Sequence, residues 1–344
     1  LPVPDARIFF SNSGSEANDS HIKMLRYYSN AIGKPQKKKI IALDRGYHGV
    51  TVASASLTGL PVMHSHFDLP VEALGILRAD CPHYFRGKVG DESEDEFVSR
   101  LLKSLEKLIF EEGAETIAAF IAEPLMGAGG VIVPPEGYLP KVQALMKEHD
   151  IFLWADEVIC GFGRTGNDFG STTMGINPDL MSLAKQLSSA YVPISAAVVP
   201  GEMYESMAQQ SANVGMFGHG YTYTGHPVAC AAALKALEIY ERDDLFARAA
   251  KMGVHMQSRL QEYAGHELVG EVRGKGLIGA IELVANKETG QAFSDGQVGA
   301  FAQRACQDAG LLLRVVSGSC VAFCPPLIIE KTRSMRWLRN LARH

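Results

Sequence analysis

A single lysine follows an apolar run in the middle of the chain. Residues 180–184 read LMSLA, and Lys185 comes next, before a run of small and turn-forming residues. An ammonium group at the end of a buried strand is costly unless its pKa falls or its charge is removed. Consumption of the amine in a Schiff base would remove the charge and supply covalent chemistry. For a lysine taken alone, the alternative is a side chain that returns its charged end to solvent.

A pair of carboxylates closes a second apolar run, upstream of that lysine. Residues 151–155 have the length of a strand, Asp156 and Glu157 follow them, and three glycines then interrupt regular structure. Carboxylates at the carboxyl end of a strand lie where open α/β sheets bind ligands. Asp156 would suit a pyridinium nitrogen, because it would keep that nitrogen protonated and the ring electron-accepting. Val158 would then pack against the ring. The alternative for the two carboxylates is a helix cap or a pair of metal ligands.

A small-residue turn near the start of the chain precedes a predicted helix. Ser13 and Glu16 have the spacing of a capping box. Gly14 and Ser15 would begin the helix with small side chains and free backbone N–H groups, an arrangement that suits a phosphate. A plain N-cap without a ligand accounts for the same pattern.

Aromatic and acidic groups follow two further predicted strands. Tyr47 and His48 lie between glycines after the strand predicted at 40–43, where they could cover a flat ligand or form an ordinary turn. Glu123 lies at the end of the strand predicted at 116–124. Either a role in a functional site or a structural salt bridge would account for a glutamate at this position. A helix predicted at 140–149 joins this strand to the one ending at Asp156, which indicates a βαβ unit.

The composition limits the class of protein. The chain has 344 residues, 47% of them hydrophobic and 21% charged, which is typical of a globular protein. A net charge of -5 argues against nucleic acid as a main partner. No apolar run reaches the ~18 residues that a membrane-spanning helix needs. The six cysteines form no CxxC pair, so we expect reduced, buried thiols in a cytoplasmic protein.

The pattern of predicted elements changes along the chain. Strands alternate with helices up to about residue 240, which predicts an α/β domain at 1–240. After it come a helix at 245–264, two strands within 269–284, a helix at 295–309 and two more strands. We therefore expect a second, smaller α+β domain at 241–344, which ends in a helical pattern at 331–344.

Taken together, the motifs resemble those of one family over essentially the whole chain. NSGSEAND, GYHG, AEPLMGAGGVIVPPEGY, WADEVICGFGRTG, DLMSLAK, YTYTGHP and RGKGLIGAIEL occur in the order found in class III pyridoxal-phosphate-dependent aminotransferases. Among these, the chain is most similar to the ω-amine:pyruvate group. The resemblance implies a fold-type I architecture, with a large domain built on a mostly parallel sheet and a small C-terminal domain. It also implies that an N-terminal segment of the family is absent and that the C-terminal domain is cut short.

The resemblance implies roles for individual residues. Lys185 resembles the Schiff-base lysine, and Asp156 resembles the partner of the pyridinium nitrogen. Arg314 resembles a mobile arginine that binds the substrate carboxylate. Thr222 resembles a threonine that reaches the phosphate in the neighbouring subunit, which implies a homodimer or a tetramer; no metal is expected. The predicted binding residues for pyridoxal 5'-phosphate are Gly14, Ser15, Tyr47, His48, Glu123, Asp156, Val158, Lys185 and Thr222.

The implied reaction is a ping-pong transamination from an amine or ω-amino acid donor to pyruvate or a similar oxo acid. Ornithine- and γ-aminobutyrate-type members have a glutamate where Ala128 stands, so its absence points away from those donors. A mutase, decarboxylase or epimerase that uses the same cofactor is the alternative among enzymes. A non-catalytic, truncated homologue is the alternative outside them.

Overall fold

The computed structural model describes residues 1–294 and 297–331. Apart from Lys331, the helical pattern predicted at 331–344 lies outside the described residues. Within them, the chain forms one seven-stranded sheet and one four-stranded sheet, with helices packed on both. Among these residues we find no helix whose length and apolar character would suffice to cross a bilayer.

The larger sheet has the strand order β1-β7-β6-β5-β4-β2-β3. Neighbouring strands pair in parallel except around β7, which runs antiparallel to both β1 and β6. The carboxyl ends of the other six strands therefore meet at one edge of the sheet. In chain order the strands are β1 (Arg7–Ser11), β2 (Lys39–Leu43), β3 (Ile76–Ala79), β4 (Ile117–Ala122), β5 (Phe152–Asp156), β6 (Leu180–Leu183) and β7 (Ser195–Val199).

Ten α-helices lie in the described residues, and four short 3-10 segments accompany them. The 3-10 segment that matters for the site is Lys185–Ser188, directly after β6. The helices are α1 (Gly14–Ala31), α2 (Val52–Leu57), α3 (Tyr84–Gly87), α4 (Glu94–Glu112), α5 (Tyr138–Glu148), α6 (Gly170–Thr173), α7 (Gly201–Val214), α8 (Pro227–Arg242), α9 (Leu245–Gln261) and α10 (Gln297–Asp308).

The central strands are buried on both faces, as expected for a parallel sheet covered by helices. Every residue of β4 is buried. In β2, Ile40 and Ala42 pack in the cluster that contains the apolar face of α1. Ile41 and Leu43 pack in the cluster that contains α4 and α5. Since successive strand side chains point to opposite faces, this alternation shows that the sheet separates two helical layers.

Helix α1 begins with half of the predicted capping box. The Ser13 hydroxyl accepts a hydrogen bond from the Glu16 N–H at 3.2 Å, as the box requires. The Glu16 carboxylate does not return to Ser13. It accepts instead from the backbone and side-chain nitrogens of Asn12, at 2.7 and 2.9 Å. The predicted capping box is therefore confirmed for the Ser13 hydroxyl and wrong for the Glu16 side chain. The Asn12 side chain offers that carboxylate an additional donor.

The smaller sheet is antiparallel, in the order β10-β11-β9-β8. Its predicted strands are confirmed, and α9 and α10 pack against it. The division predicted at residue 240 falls inside the last turn of α8, and it stays a prediction. The strands are β8 (Val269–Lys275), β9 (Ile278–Leu283), β10 (Arg314–Val316) and β11 (Cys320–Phe323).

All six cysteines are free thiols, as predicted, but only three of them are buried. Cys160, Cys306 and Cys320 are buried, whereas Cys324 is exposed. The expectation of uniformly buried thiols was therefore wrong. Cys324 follows β11 directly and lines an open cavity, so the apolar run that suggested burial ends one residue before it.

Helix α9 and the turn between β8 and β9 meet at two glycines. A Cβ at Gly253 would lie 2.5 Å from the Gly276 Cα. Although alanine is the better helix former, that gain is smaller than the strain of pushing two backbones apart. We expect Gly253→Ala to lower the free energy of unfolding by about 2 kcal/mol, measured by urea denaturation. The control is Gly265→Ala, where a Cβ would meet no described atom within 4 Å. Equal stability of both variants would contradict the close packing.

Candidate active site

A cavity of about 420 Å³ opens at the edge where the parallel strands end. Segments that follow β1, β2, β4, β5 and β6 form its walls, in agreement with the rule that open α/β sheets bind ligands beyond their carboxyl ends. Eight of the ten predicted site residues line this one cavity: Gly14, Ser15, Tyr47, His48, Glu123, Asp156, Val158 and Lys185.

Asp156 lies at the end of β5 and is only 3% exposed. Its Oδ2 accepts hydrogen bonds from Asn18 Nδ2 at 3.0 Å and lies 2.9 Å from His48 Nδ1. Its Oδ1 receives the Val158 N–H at 3.2 Å. Burial alone would raise the pKa of Asp156, but the His48 interaction and the Asn18 and Val158 donors hold it below its usual value. The cavity therefore contains a carboxylate that is ionised at neutral pH.

Asn18 is a site residue that the sequence analysis missed. Its side-chain nitrogen also donates to the His48 carbonyl at 2.6 Å, so one amide connects the two groups. Asn18 lies one helical turn after Gly14, and residues four apart share a face of a helix. The spacing from Gly14 could have indicated that Asn18 faces the site. It could not have indicated that Asn18 binds Asp156 at the end of β5.

Glu157, the second carboxylate of the pair, turns away from the cavity. It accepts hydrogen bonds from the backbone N–H groups of Gly170 and Ser171, at 2.9 and 2.6 Å, at the start of α6. The Ser171 hydroxyl donates to it as well. The helix-cap alternative therefore holds for Glu157, while its neighbour Asp156 lines the site. Burial, the largest effect, raises the pKa of Glu157 to about 7.

Glu123 connects two of the loops that form the cavity. Its Oε1 accepts the Tyr47 N–H at 2.9 Å, and its Oε2 accepts the Gly127 N–H at 2.8 Å. It forms no salt bridge with a lysine or arginine among the described residues, so that alternative was wrong. Burial raises the pKa of Glu123 to about 7, despite the opposing effect of His48.

The start of α1 is shaped to leave space in the cavity. A Cβ at Gly14 would lie 3.0 Å from the Val158 side chain, so a larger residue would push Val158 aside. The Ser15 hydroxyl accepts a hydrogen bond from the Val50 N–H at 3.1 Å. The first N–H groups of a helix have no acceptor within the helix. Gly14 and Ser15 therefore present donors to the cavity, where the helix dipole favours an anion.

Lys185 differs from the sequence expectation in its burial. The run 180–184 is buried, but Lys185 itself is exposed. It lines both the first cavity and a second one of about 490 Å³. Among the described residues its amine has no hydrogen-bond or ion-pair partner. Its φ of +32° lies in the left-handed region that side chains rarely adopt, and such strain is often found at functional sites.

Arg314 lies on the wall of the second cavity. It is exposed, at the start of β10, and the cavity also contacts Ala128 and Lys185. Its positive charge is close enough to Tyr47 to oppose the rise in pKa that burial gives the tyrosine hydroxyl. Arg314 is thus near the first cavity without lining it.

Thr222 is not brought to either cavity of the same chain. It is exposed, in the loop between α7 and α8. That loop is fastened to α1 by the Tyr221 hydroxyl, which donates to the Glu16 carbonyl at 3.2 Å, and by His219, which lies 2.9 Å from the Ser20 hydroxyl. The role of Thr222 in a neighbouring subunit stays a prediction.

The residues that line the first cavity suit pyridoxal 5'-phosphate. Asp156 Oδ1 receives one long hydrogen bond, so it retains acceptor capacity for the N–H of a pyridinium ring. His48 Nε2 and Asn18 Oδ1 are buried polar atoms that have no hydrogen-bond partner among the described residues. Helix N–H groups suit the phosphate, and Lys185 supplies a primary amine. This set matches a ligand with a cationic ring nitrogen, an anionic group and an aldehyde.

The whole chain is recognisable as one family. The sequence profile described as aminotransferase class-III matches residues 1–343. The chain therefore belongs to the class III aminotransferases, and its seven-stranded sheet with the small antiparallel sheet is the fold-type I architecture of that family.

Named relatives lie within this family. The chain is 50% identical over 325 residues to γ-aminobutyrate transaminase 1, mitochondrial, of Solanum lycopersicum. The aligned residues cover 94% of this chain and 62% of that relative. It is 51% identical over 324 residues to γ-aminobutyrate transaminase 1, mitochondrial, of Oryza sativa subsp. japonica, with coverages of 94% and 62%. The chain thus spans less than two thirds of the length of these curated relatives.

Solved structures are similar over the complete chain. An ω-transaminase from Pseudomonas jessenii in complex with PMP has a TM-score of 0.97 and 51% identity, covering 100% of this chain and 75% of that one. A structure described as a transaminase with L-Ala has the same TM-score and identity, with coverages of 100% and 80%.

The buried Glu157 gives a testable dependence of stability on pH. With an ordinary pKa of 4.5 and a folded value of about 7, the folded state retains a proton that the unfolded state has lost. Glu157 therefore contributes stability below pH 4.5 that is lost as the pH rises to about 7. We expect the difference in unfolding free energy between wild type and Glu157→Gln to decrease across this range. Urea denaturation at several pH values tests this, with the exposed Glu148→Gln as control; a constant difference would refute it.

Proposed function

We propose that the protein is a pyridoxal-phosphate-dependent transaminase, which moves an amino group from an amine or ω-amino acid donor to pyruvate or a similar oxo acid. The observation that supports this most directly is the cavity lined by both Lys185 and Asp156. Membership of the class III aminotransferases supports the same reaction.

Asp156, Gly14, Ser15, Tyr47 and Val158 are the residues that would hold the cofactor. When bound, pyridoxal phosphate supplies an aldehyde carbon and a ring that accepts electrons. The carboxylate of Asp156 stays ionised at neutral pH because its pKa is held low, so it favours a positively charged ring nitrogen beside it. The N–H groups at the start of α1 would bind the phosphate of the cofactor.

Lys185 is the group that handles the proton in this proposal. Lys185 lines both cavities, so we place its amine between the cofactor side and the substrate side. A transamination removes a proton from the carbon that bears the amine and later returns one. An amine within reach of that carbon acts as the general base and then as the general acid.

Arg314 is the proposed substrate-binding residue. Arg314 lines the second cavity, which shares Lys185 with the cavity that Asp156 lines. A planar guanidinium binds a carboxylate through two parallel hydrogen bonds. The side chain is exposed and at the start of a strand, so it can turn towards the carboxylate of an oxo acid or away from an apolar amine.

The donor class follows from the second cavity and from the relatives. Ala128 lines the second cavity together with Arg314, and no carboxylate is among the described residues that line it. From that absence we expected γ-aminobutyrate to be disfavoured, yet the curated relatives are named γ-aminobutyrate transaminases. We therefore include γ-aminobutyrate with L-alanine and apolar amines among the donors to be tested.

We propose that the active form is a homodimer in which Thr222 completes the neighbouring site. The loop that carries Thr222 is exposed and faces neither cavity of its own chain, which is consistent with contact to a second copy. The alternatives of a mutase, decarboxylase or epimerase use the same cofactor residues. The relatives named above are transaminases, which favours transamination over these alternative reactions.

Replacement of the lysine tests the assignment directly. We expect Lys185→Ala to lower turnover by on the order of a thousandfold or more, because it removes the general base and the covalent attachment point. Covalent retention of pyridoxal phosphate after borohydride treatment, measured by mass spectrometry, should disappear with it. Lys235→Ala, an exposed lysine paired with Glu238, is the matched control. Full activity of the Lys185 variant would exclude the proposed mechanism.

Replacement of the arginine tests the substrate class. We expect Arg314→Ala to raise KM for pyruvate about tenfold or more, because a charge-assisted contact is lost, while KM for an apolar amine changes little. The measurement is alanine formed from pyruvate with γ-aminobutyrate and with an apolar amine. Arg304→Ala on α10 is the control for loss of a surface arginine. Equal changes for both substrates would argue against carboxylate recognition by Arg314.

A further inference from the structure

A buried polar cluster lies between the two sheets. Glu271 and Arg273 come from β8 and Glu282 comes from β9, while His83 and Arg86 come from the segment around α3. We call these five residues the Arg273 cluster. Arg273 is 7% exposed and Glu282 is 3% exposed, so their charges must be balanced within the cluster.

The cluster is an ion-pair network. Arg273 Nη1 lies 2.5 Å from Glu271 Oε2 and 2.6 Å from Glu282 Oε2. Arg86 Nε lies 2.6 Å from Glu282 Oε1. His83, Glu271 and Glu282 have ligand atoms close enough together for a metal ion. Two guanidinium groups already engage these carboxylates, so the arrangement does not indicate a metal site.

The remaining donors of Arg273 hold a loop of the first sheet. Its Nε lies 3.1 Å from both the Gly130 and the Val131 carbonyl oxygens, and its Nη2 lies 2.5 Å from the Gly130 oxygen. One guanidinium thus joins two carboxylates of the second sheet to two consecutive carbonyls of the loop 127–131. Lysine could not reproduce this, because its donors lie on a single atom.

The loop has a backbone that needs such support. Val131 has a φ of +53°, a strained conformation for a β-branched residue. Conformations of this kind persist only when the surroundings determine them. Arg273 provides one contact, and the Ser317 hydroxyl, which donates to the Gly129 carbonyl at 2.7 Å, provides another from the turn after β10.

The loop in turn forms part of the site. The Gly127 N–H donates to Glu123, whose other oxygen holds the Tyr47 N–H. Ala128 and Val131 line the second cavity together with Arg314. Because Ala128 and Val131 belong to the loop, its displacement would change the width of the second cavity.

We propose that Arg273 is a positioning residue that fixes the loop 127–131 and thereby sets the affinity of the second cavity for the substrate carboxylate. The inference rests on the proposed function, since it concerns the substrate side of that site. Arg273 itself contacts neither cavity. It acts through the loop and sets the distance between the loop and the strand that carries Arg314.

The test separates substrate binding from cofactor binding. We expect Arg273→Lys, which keeps the charge but loses the fork of donors, to raise KM for pyruvate about tenfold with a smaller change in kcat. Its affinity for pyridoxal phosphate, measured by absorbance titration, should stay close to wild type. The dissociation constant of propionate, a non-reacting carboxylate, should rise in parallel in calorimetric titrations of the cofactor-loaded protein.

Lys37→Met is the matched control. Lys37 is a buried cation that binds the Asp150 carboxylate and carbonyl at the opposite, amino edge of the sheet. The Lys37→Met substitution should lower the free energy of unfolding without changing the affinity for propionate. Unchanged propionate affinity in Arg273→Lys, or an equal loss in Lys37→Met, would overturn the proposal. If wild type binds both cofactor and propionate but does not transaminate, the proposed function fails while the role of Arg273 is still measured.

Discussion

The site depends on one buried negative charge. The Asp156 carboxylate is almost removed from water, and a charge in that position is tolerated only with direct hydrogen-bond donors. Those donors come from α1 through Asn18, from the loop after β2 through His48, and from the backbone of Val158. The same contacts fix the start of α1 and the loop after β2 relative to β5, so stabilising the charge also sets the geometry of the cavity.

Charges of opposite sign lie at different depths of the two cavities. The Asp156 carboxylate is buried at the end of β5, Gly14 and Ser15 are half-buried, and Lys185 and Arg314 are exposed. A ligand with a cationic ring nitrogen and anionic groups elsewhere has one favourable orientation in such a field. The two sheets contribute separately, because the first supplies the cofactor side and the second supplies Arg314.

The sequence predicted most of the fold because the central strands are continuous apolar runs that end in distinctive residues. Asp156, Lys185, Tyr47 and Gly14 follow the ends of such strands, and for this reason the sequence indicated that they could share one site. It failed where a partner is distant in the chain. Asn18 lies in α1, whereas its acceptor Asp156 lies at the end of β5, 138 residues later. The Arg273 cluster joins residues almost 200 positions apart. The exposure of Lys185 was missed because it depends on where the chain turns after β6.

The antiparallel direction of β7 determines which connecting segment borders the cavity. A parallel β7 would require a crossover that leads away to the opposite edge of the sheet. Because β7 is antiparallel to β6, the connecting residues 184–194 return at the edge where the cavity opens, and Tyr191 and Pro193 within them form part of its rim. Insertions or deletions in this connection would therefore reshape the entrance, so its length is expected to vary less than that of surface loops elsewhere.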